Sequence, residues 1–134
     1  MNNLSNEEKS IILDRFGKSV IENVRDGVLS FSMCIVKQTT PNPRYLKKYG
    51  VLSDLTDEQK EKVCDLLSET ITDTIYRFLK MFEECDDEIR LKVLYKGNEY
   101  DMMDISEEMG SEITFDDDSG WIQKFSKIGR FIKW

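Results

Sequence analysis

The sequence predicts an α+β fold: an N-terminal helical part of two to four helices, one of them long and central, followed by a small antiparallel sheet built on a β-hairpin. Two observations indicate this arrangement. Apolar residues keep a helical period from Thr56 to Cys85, and they change to strict alternation between Ile89 and Tyr95. Helices and strands that occupy separate blocks of a sequence are typical of α+β proteins. A chain of 134 residues suits one hydrophobic core, so we predict a single domain over residues 1–134.

A first helix is predicted to begin after Ser5, because Ser5 and Glu8 have the spacing of a capping box. We expect this helix to reach about Arg25. Gly17 lies in its interior, where a glycine costs about 1 kcal/mol relative to alanine. We therefore interpret Gly17 as a point of close helix–helix contact.

The run from Gly27 to Gln38 fits two structures, because its apolar side chains alternate as in a strand while the whole run is apolar enough for a buried helix. We favour the helix, since only a short Asp-Gly step separates the run from the first helix. Pro41 and Pro43 then force an extended connection. The segment from Arg44 to Gly50 is expected to form a short helical turn.

The central helix is predicted to begin after Thr56, which has capping-box spacing to Gln59. Leu67 lies at the centre of an apolar stripe that we expect to face the core. The other members of this stripe fall within about 60° of Leu67 on a helical wheel: Val63, Ile71, Thr74, Phe78, Met81, Phe82 and Cys85. The opposite side is expected to face solvent: Asp65, Glu69, Thr72, Asp73, Tyr76, Arg77, Lys80 and Glu84.

A β-hairpin is predicted after the central helix. Its first strand alternates, with the apolar residues on one face and Arg90 and Lys92 on the other. The Gly97-Asn98 pair suits a two-residue turn, which would place Tyr95 opposite Tyr100.

Three further elements are expected beyond the hairpin. Ser106 is predicted to cap a short helical turn that ends at Gly110, and Glu112 to Phe115 is a candidate strand. The segment from Trp121 to Ser126 alternates again, as in a strand.

The chain contains no histidine, which excludes Ser-His and Cys-His nucleophile pairs and every zinc site that uses histidine. Cys34, Cys64 and Cys85 are expected to be free, buried thiols. Any catalysis would depend on carboxylates, tyrosine, lysine, arginine or a bound metal. We therefore expect a binding protein rather than an enzyme, and we predict no cofactor.

The net charge of −7 is concentrated in residues 1–120, because residues 121–134 contain four bases and no acid. An acidic body repels nucleic acid and suits a basic protein partner. The polar N-terminus has no signal-peptide pattern, and no apolar stretch approaches the ~20 residues that span a bilayer. We thus expect a cytoplasmic protein that binds neither nucleic acid nor membranes. The sequence does not determine its oligomeric state.

Two acidic sets are candidate contacts for a basic partner: the row Asp65, Glu69 and Asp73 on the central helix, and the loop residues Asp116, Asp117 and Asp118. A solvated surface is the plainer interpretation of both sets. The loop does not match an EF-hand, which requires Gly at its sixth position and Glu at its twelfth. Trp121 and Lys127 occupy these positions, and we predict no metal site.

Five aromatic residues are candidates for lining a pocket between the helices and the hairpin: Tyr45, Tyr76, Tyr95, Tyr100 and Trp121. Such a pocket would belong to a small-molecule-binding protein or a carboxylate-based enzyme, and it would hold one or two carboxylates of raised pKa. This is the alternative to our first hypothesis, an acidic protein-interaction module such as an inhibitor or an immunity-type protein.

Three segments resemble those of a family of small uncharacterised bacterial proteins, in the same order. They are Thr40-Pro41-Asn42-Pro43, Leu55-Thr56-Asp57-Glu58-Gln59 and Gly120-Trp121-Ile122-Gln123-Lys124-Phe125-Ser126-Lys127. The resemblance implies a bacterial origin and a single domain, and it implies no activity and no site residue. In size and acidity the chain is also similar to immunity proteins of bacterial toxin systems.

Overall fold

The structure is a computed structural model that describes residues 4–85, 87–113 and 120–128. It confirms the α+β class, because helices form most of it and a two-stranded antiparallel sheet follows the long helices. None of the helices in these ranges combines the length and the apolar character that crossing a bilayer requires. The elements, in chain order, are α1 (Asn6–Ser19), a π-helical segment (Val20–Arg25), α2 (Asp26–Val36), α3 (Pro43–Lys48), a 3₁₀ turn (Gly50–Asp54), α4 (Asp57–Glu84), β1 (Lys92–Tyr95), β2 (Asn98–Asp101), a second 3₁₀ turn (Met102–Asp104), α5 (Met109–Glu112) and α6 (Trp121–Phe125).

The α1 helix, the π-helical segment and α2 form one uninterrupted helix from Asn6 to Val36. Its predicted capping box is confirmed, since the Glu8 N–H donates to Ser5 Oγ at 3.1 Å and the Ser5 N–H donates to Glu8 Oε1 at 3.3 Å. The helical interpretation of residues 27–38 is also confirmed, as far as Val36. The predicted end near Arg25 is wrong, because the helix widens there to π winding and then continues.

The long central helix is α4, and its capping box is confirmed by the Gln59 N–H, which donates to Thr56 Oγ1 at 3.1 Å. Its buried side is not the predicted stripe. The buried residues are Cys64, Ser68, Thr72, Ile75, Leu79 and Phe82. The inward side is therefore rotated by about 90° from the predicted one.

Three residues of α4 show this correction most clearly. Phe78 and Thr74, predicted to face the core, are exposed, and Phe78 is 57% exposed. Thr72, predicted to face solvent, is buried. The cause is a buried cation: Arg25 of the N-terminal helix forms hydrogen bonds with Thr72 and with Ser68.

The predicted β-hairpin is present, but its register differs by two residues. Tyr95 pairs with Asn98 and not with Tyr100, so the turn consists of Lys96 and Gly97. Both turn residues have positive φ, 49° at Lys96 and 81° at Gly97, as a type I′ turn requires. Gly97 adopts the larger value without a steric cost, since it has no side chain. A shift of two residues leaves each side chain on its predicted face.

The C-terminal part differs from the prediction. The segment from Trp121 to Phe125 is the helix α6 rather than a strand. Its first two residues, Trp121 and Ile122, are both buried. Adjacent residues of a helix are only about 100° apart around its axis, so Trp121 and Ile122 can both face the core. Ser106 does not cap α5, which begins at Met109, and Glu112 belongs to that helix. The remainder of the candidate strand over residues 112–115 lies largely outside the described residues.

The interpretation of Gly17 as a close contact is confirmed. Trp121 of α6 lies directly against it, and a Cβ added at Gly17 would be 2.4 Å from the indole Nε1. Phe16 packs edge-on against the same indole, with ring centroids 5.7 Å apart. Glycine at this position therefore lets the largest side chain of the core sit on α1. Other members of this core are Ile12, Ile21, Ile75, Leu79, Phe82, Tyr95, Met102, Met109, Ile113 and Ile122.

Gly17→Ala is expected to destabilise the protein by about 1–3 kcal/mol, because the new methyl group would overlap the Trp121 ring unless α6 moves. Urea unfolding followed by circular dichroism measures the change. Gly27→Ala is the matched control: its Cβ would meet its nearest neighbour at 3.9 Å, and alanine favours the helix by roughly 0.5–1 kcal/mol. A Gly17→Ala protein as stable as the wild type would contradict the packing described for Trp121.

Candidate functional site

Arg25 is the most unusual residue of the interior, because it is completely buried. Its Nη1 donates to Asp26 Oδ1 at 2.9 Å, and its Nε donates to Thr72 Oγ1 at 3.2 Å. Nη2 donates to Ser68 Oγ at 3.4 Å, and Nη1 also donates to the Ser126 hydroxyl at 3.2 Å. The cation is thus satisfied by side chains from three separate parts of the chain.

Asp26 accepts further hydrogen bonds from the chain after α6. The Ser126 hydroxyl donates to Asp26 Oδ1 at 2.8 Å, and the Lys127 N–H donates to Oδ2 at 2.8 Å. Burial lowers the pKa of the Arg25 guanidinium from its ordinary value, and the adjacent Asp26 carboxylate opposes that shift. Removing one partner of a buried ion pair typically costs about 3–5 kcal/mol. We refer to Arg25, Asp26, Ser68, Thr72 and Ser126 as the buried network.

The buried network determines which side of α4 faces inward. Because Ser68 and Thr72 point at Arg25, the apolar stripe of α4 is turned aside from the centre of the core. Leu67 of that stripe is only partly buried, and Phe78 is exposed. Part of the stripe that the sequence assigns to the core therefore lies at the surface.

A second row of apolar side chains is exposed on the neighbouring helix. Val24, Val28 and Phe31 follow one another at i, i+4 and i+7, so they lie on one side of the helix. They are 48%, 47% and 50% exposed. Ile35 continues the same row one turn further on and is buried.

A groove of about 240 Å³ lies at one end of the two rows. It lies between α2 and α4, and Ile35 and Val36 line it from α2 while Val63 and Leu67 line it from α4. Ile35 continues the row of Val28 and Phe31, and Leu67 belongs to the stripe of α4, so each row contributes one residue to the lining of the groove. We name Val24, Val28, Phe31, Leu67 and Phe78 the apolar face.

The short helix α3 lies at one end of the apolar face. Tyr45 packs edge-on against Phe31, with ring centroids 5.4 Å apart, and Tyr49 stacks on Tyr45 at 6.3 Å. Tyr49 also lines the groove. The α3 helix carries three exposed bases, Arg44, Lys47 and Lys48.

The acidic residues that the sequence analysis selected differ in their surroundings. The side chain of Asp65 is only 14% exposed, and its Oδ2 lies 3.8 Å from Lys62 Nζ. Glu69 is exposed. Asp73 accepts a hydrogen bond from Arg77 Nε at 2.9 Å. Asp116, Asp117 and Asp118 lie outside the described residues.

The five selected aromatic residues pack against different elements. Trp121 is enclosed in the core beside Gly17, and Tyr45 packs against α2. Tyr95 and Tyr100 lie together, with ring centroids 6.5 Å apart, and Tyr95 lines a cleft of about 230 Å³ between α1 and β1. Tyr76 lies beside Gly110 of α5.

Among the described residues, two carboxylates have shifted pKa values. Burial raises the pKa of Glu112, although the Ser106 hydroxyl and Lys124 act in the opposite direction. For Asp101, burial alone would raise the pKa, but the hydrogen bonds from Arg90 and the Met103 N–H outweigh it, so the pKa is lowered.

Acidic residues and thiols are distributed over the part of the chain that the structure describes. There, no three Cys, Asp or Glu residues are grouped so that they could hold a metal ion. The three cysteines are free, as predicted; Cys64 is buried, whereas Cys34 is exposed, contrary to expectation. Burial raises the pKa of the Cys64 thiol, which lowers its reactivity.

No known family model matches the chain, and comparisons with curated proteins and with solved structures find no significant similarity. The resemblance to small bacterial proteins therefore stays a prediction. The candidate site rests on the geometry of this chain alone.

Sequence reasoning missed both Arg25 and the exposed row of α2. The spacing of Val24, Val28 and Phe31 was visible, but a run this apolar indicated a helix buried on all sides. For Arg25 there was no local signal, because its hydroxyl partners follow it by 43 and 47 residues.

Thr72→Val is expected to destabilise the protein by about 1–3 kcal/mol, because the buried Arg25 Nε would lose the acceptor that Thr72 Oγ1 provides. Urea unfolding measures the loss. Thr74→Val, the same substitution at an exposed position of α4, should stay within about 0.5 kcal/mol of the wild type. Equal effects of the two substitutions would contradict a role for Thr72 in satisfying the cation.

Glu112→Gln is expected to be more stabilising at pH 7 than at pH 4. Because burial raises the folded-state pKa of Glu112, the folded protein binds this proton more tightly than the unfolded chain does. The contribution of Glu112 to the free energy of unfolding therefore falls as the pH rises from the pKa of Glu112 in the unfolded chain through its higher pKa in the folded protein. Glutamine keeps an oxygen for the Ser106 hydroxyl.

Urea unfolding of wild type and variant at both pH values tests this expectation. Glu107→Gln, at an exposed neighbouring position, corrects for the loss of one negative charge. A Glu112→Gln effect that is the same at both pH values would contradict it.

Proposed function

We propose that this protein is a protein-interaction module that binds an α-helix of a partner through the apolar face. The observation that carries the proposal is the row Val24, Val28 and Phe31, whose members are each about half exposed and lie at helical spacing. Single exposed apolar residues are ordinary, but a row of them beside a groove is typical of a contact surface.

The shape of the surface favours a helix as the occupant. The groove is lined from both α2 and α4, and an amphipathic helix lays its apolar residues, at spacings such as i, i+4 and i+7, into hydrophobic grooves. Phe31 and Phe78 would supply the aromatic contacts that dominate the binding energy of many interfaces.

The acidity of the chain fits an inhibitor or an immunity-type protein, which is the most concrete version of the proposal. A net charge of −7 would steer the module toward a partner with a basic surface and would raise the association rate at low salt. Exposed acids such as Glu69 contribute to this field. We also propose that the protein acts in the cytoplasm.

A small-molecule function is supported less well. The cleft between α1 and β1 has about 230 Å³, whereas ligand pockets usually measure about 300–1,000 Å³. Tyr76 and Tyr45, which the pocket hypothesis requires, pack against α5 and α2 instead.

Val28→Asp is expected to reduce partner binding at least tenfold, because it places a charge in the centre of the apolar face. The measurement is capture of a stoichiometric partner from a lysate of the source organism, with wild type and variants as bait at equal concentration. Val28 is 47% exposed, so the fold should survive, and circular dichroism verifies this.

Leu66→Asp is the matched control, since Leu66 is 63% exposed on α4 and points away from the side of Leu67 that lines the groove. It should capture the same partner as the wild type. Equal loss in both variants, full retention by Val28→Asp, or no stoichiometric partner at low salt would each contradict the proposal.

A further inference from the structure

We infer that the partner helix is acidic at the end that lies over α3. This inference rests on the proposed function and specifies the chemistry of the partner. Arg44, Lys47 and Lys48 carry it; we call these three residues the basic cluster. All three are exposed, in a protein whose net charge is −7.

The basic cluster adjoins the apolar face. Tyr45 lies between Arg44 and Lys47 in the sequence, and its ring contacts Phe31 at 5.4 Å. Tyr49, which follows Lys48, lines the groove itself. A helix that fills the groove would therefore bring its end close to α3, which carries these three bases.

Nothing within the described residues neutralises the basic cluster. None of its members forms an ion pair there, although the structure has many acids, and the one charged contact is that of Lys48 Nζ with the Tyr49 ring at 5.4 Å. Several other exposed bases are paired with acids, since Arg77 bonds Asp73 and Lys92 pairs with Glu99.

The dipole of α3 accounts for two members of the cluster but not for the third. Lys47 and Lys48 occupy the last turn, where cations are favoured, but Arg44 occupies the first turn, where they are disfavoured. Three bases that repel one another beside an apolar groove are instead suited to carboxylates on a bound helix. Exposed ion pairs add little affinity, so their main effect would be to fix the direction in which the helix lies.

A peptide display experiment tests the inference on the full chain. The library consists of 18-residue helical peptides with leucine fixed at i, i+4, i+7 and i+11, and with glutamate, lysine, glutamine or serine at every other position. Peptides are selected on immobilised wild-type protein, and the recovered sequences are counted. We expect glutamate to exceed lysine at least threefold over one terminal turn, and no such excess over the other.

Charge reversal then tests whether the basic cluster causes the preference for glutamate. Selection on the triple variant Arg44→Glu, Lys47→Glu, Lys48→Glu should exchange the glutamate excess for a lysine excess at the same end. A triple variant with the same change of charge at exposed lysines of other elements, Lys18→Glu, Lys62→Glu and Lys96→Glu, should keep the glutamate excess.

The outcomes separate this inference from the proposed function. Two results would overturn the inference and leave the helix-binding function standing. In the first, the selected peptides lose binding to Val28→Asp but show no glutamate excess. In the second, the glutamate excess survives charge reversal of the basic cluster. Failure to select any peptide that depends on Val28 overturns the proposed function, and the inference with it.

Discussion

A guanidinium group without access to water constrains the whole interior of this protein. Arg25 obtains a countercharge from the next residue and hydroxyl acceptors from α4 and from the chain after α6. The longer of these contacts join residues 43 to 101 positions apart in the sequence. Because each lost partner would leave a polar group buried and unpaired, the network admits one arrangement of the three segments and excludes its near alternatives.

The apolar face is a consequence of the same constraint. A helix has one inward side, and on α4 the polar residues Ser68 and Thr72 occupy part of that side. Leu67 and Phe78 then lie on the flank of α4, and Leu67 lines the groove together with Ile35 of α2. The polar requirement of the core thus leaves apolar surface outside it, and we propose that a partner covers this surface.

Local signals in the sequence predicted local structure well. Both capping boxes, the long central helix, the contact at Gly17 and the position of the hairpin are as expected, because each depends on residues that are close in sequence or on steric need. The rotation of α4 was not predictable, since an arginine in an amphipathic helix ordinarily faces water and its acceptors are distant. The hairpin register was missed because a shift of two residues preserves the alternation of faces, and six alternating residues did not distinguish α6 from a strand.

The π-helical segment Val20–Arg25 lies between two packing contacts of a single helix. Gly17 precedes the segment and packs against the indole ring of Trp121. Arg25 ends the segment and forms hydrogen bonds with α4. Wider winding holds about one residue more per turn than an α-helix, which shifts the angular phase of α2 by on the order of 100° relative to α1. Removing one residue from this segment would therefore leave both helices regular, yet their two docking sides would no longer point at their respective neighbours.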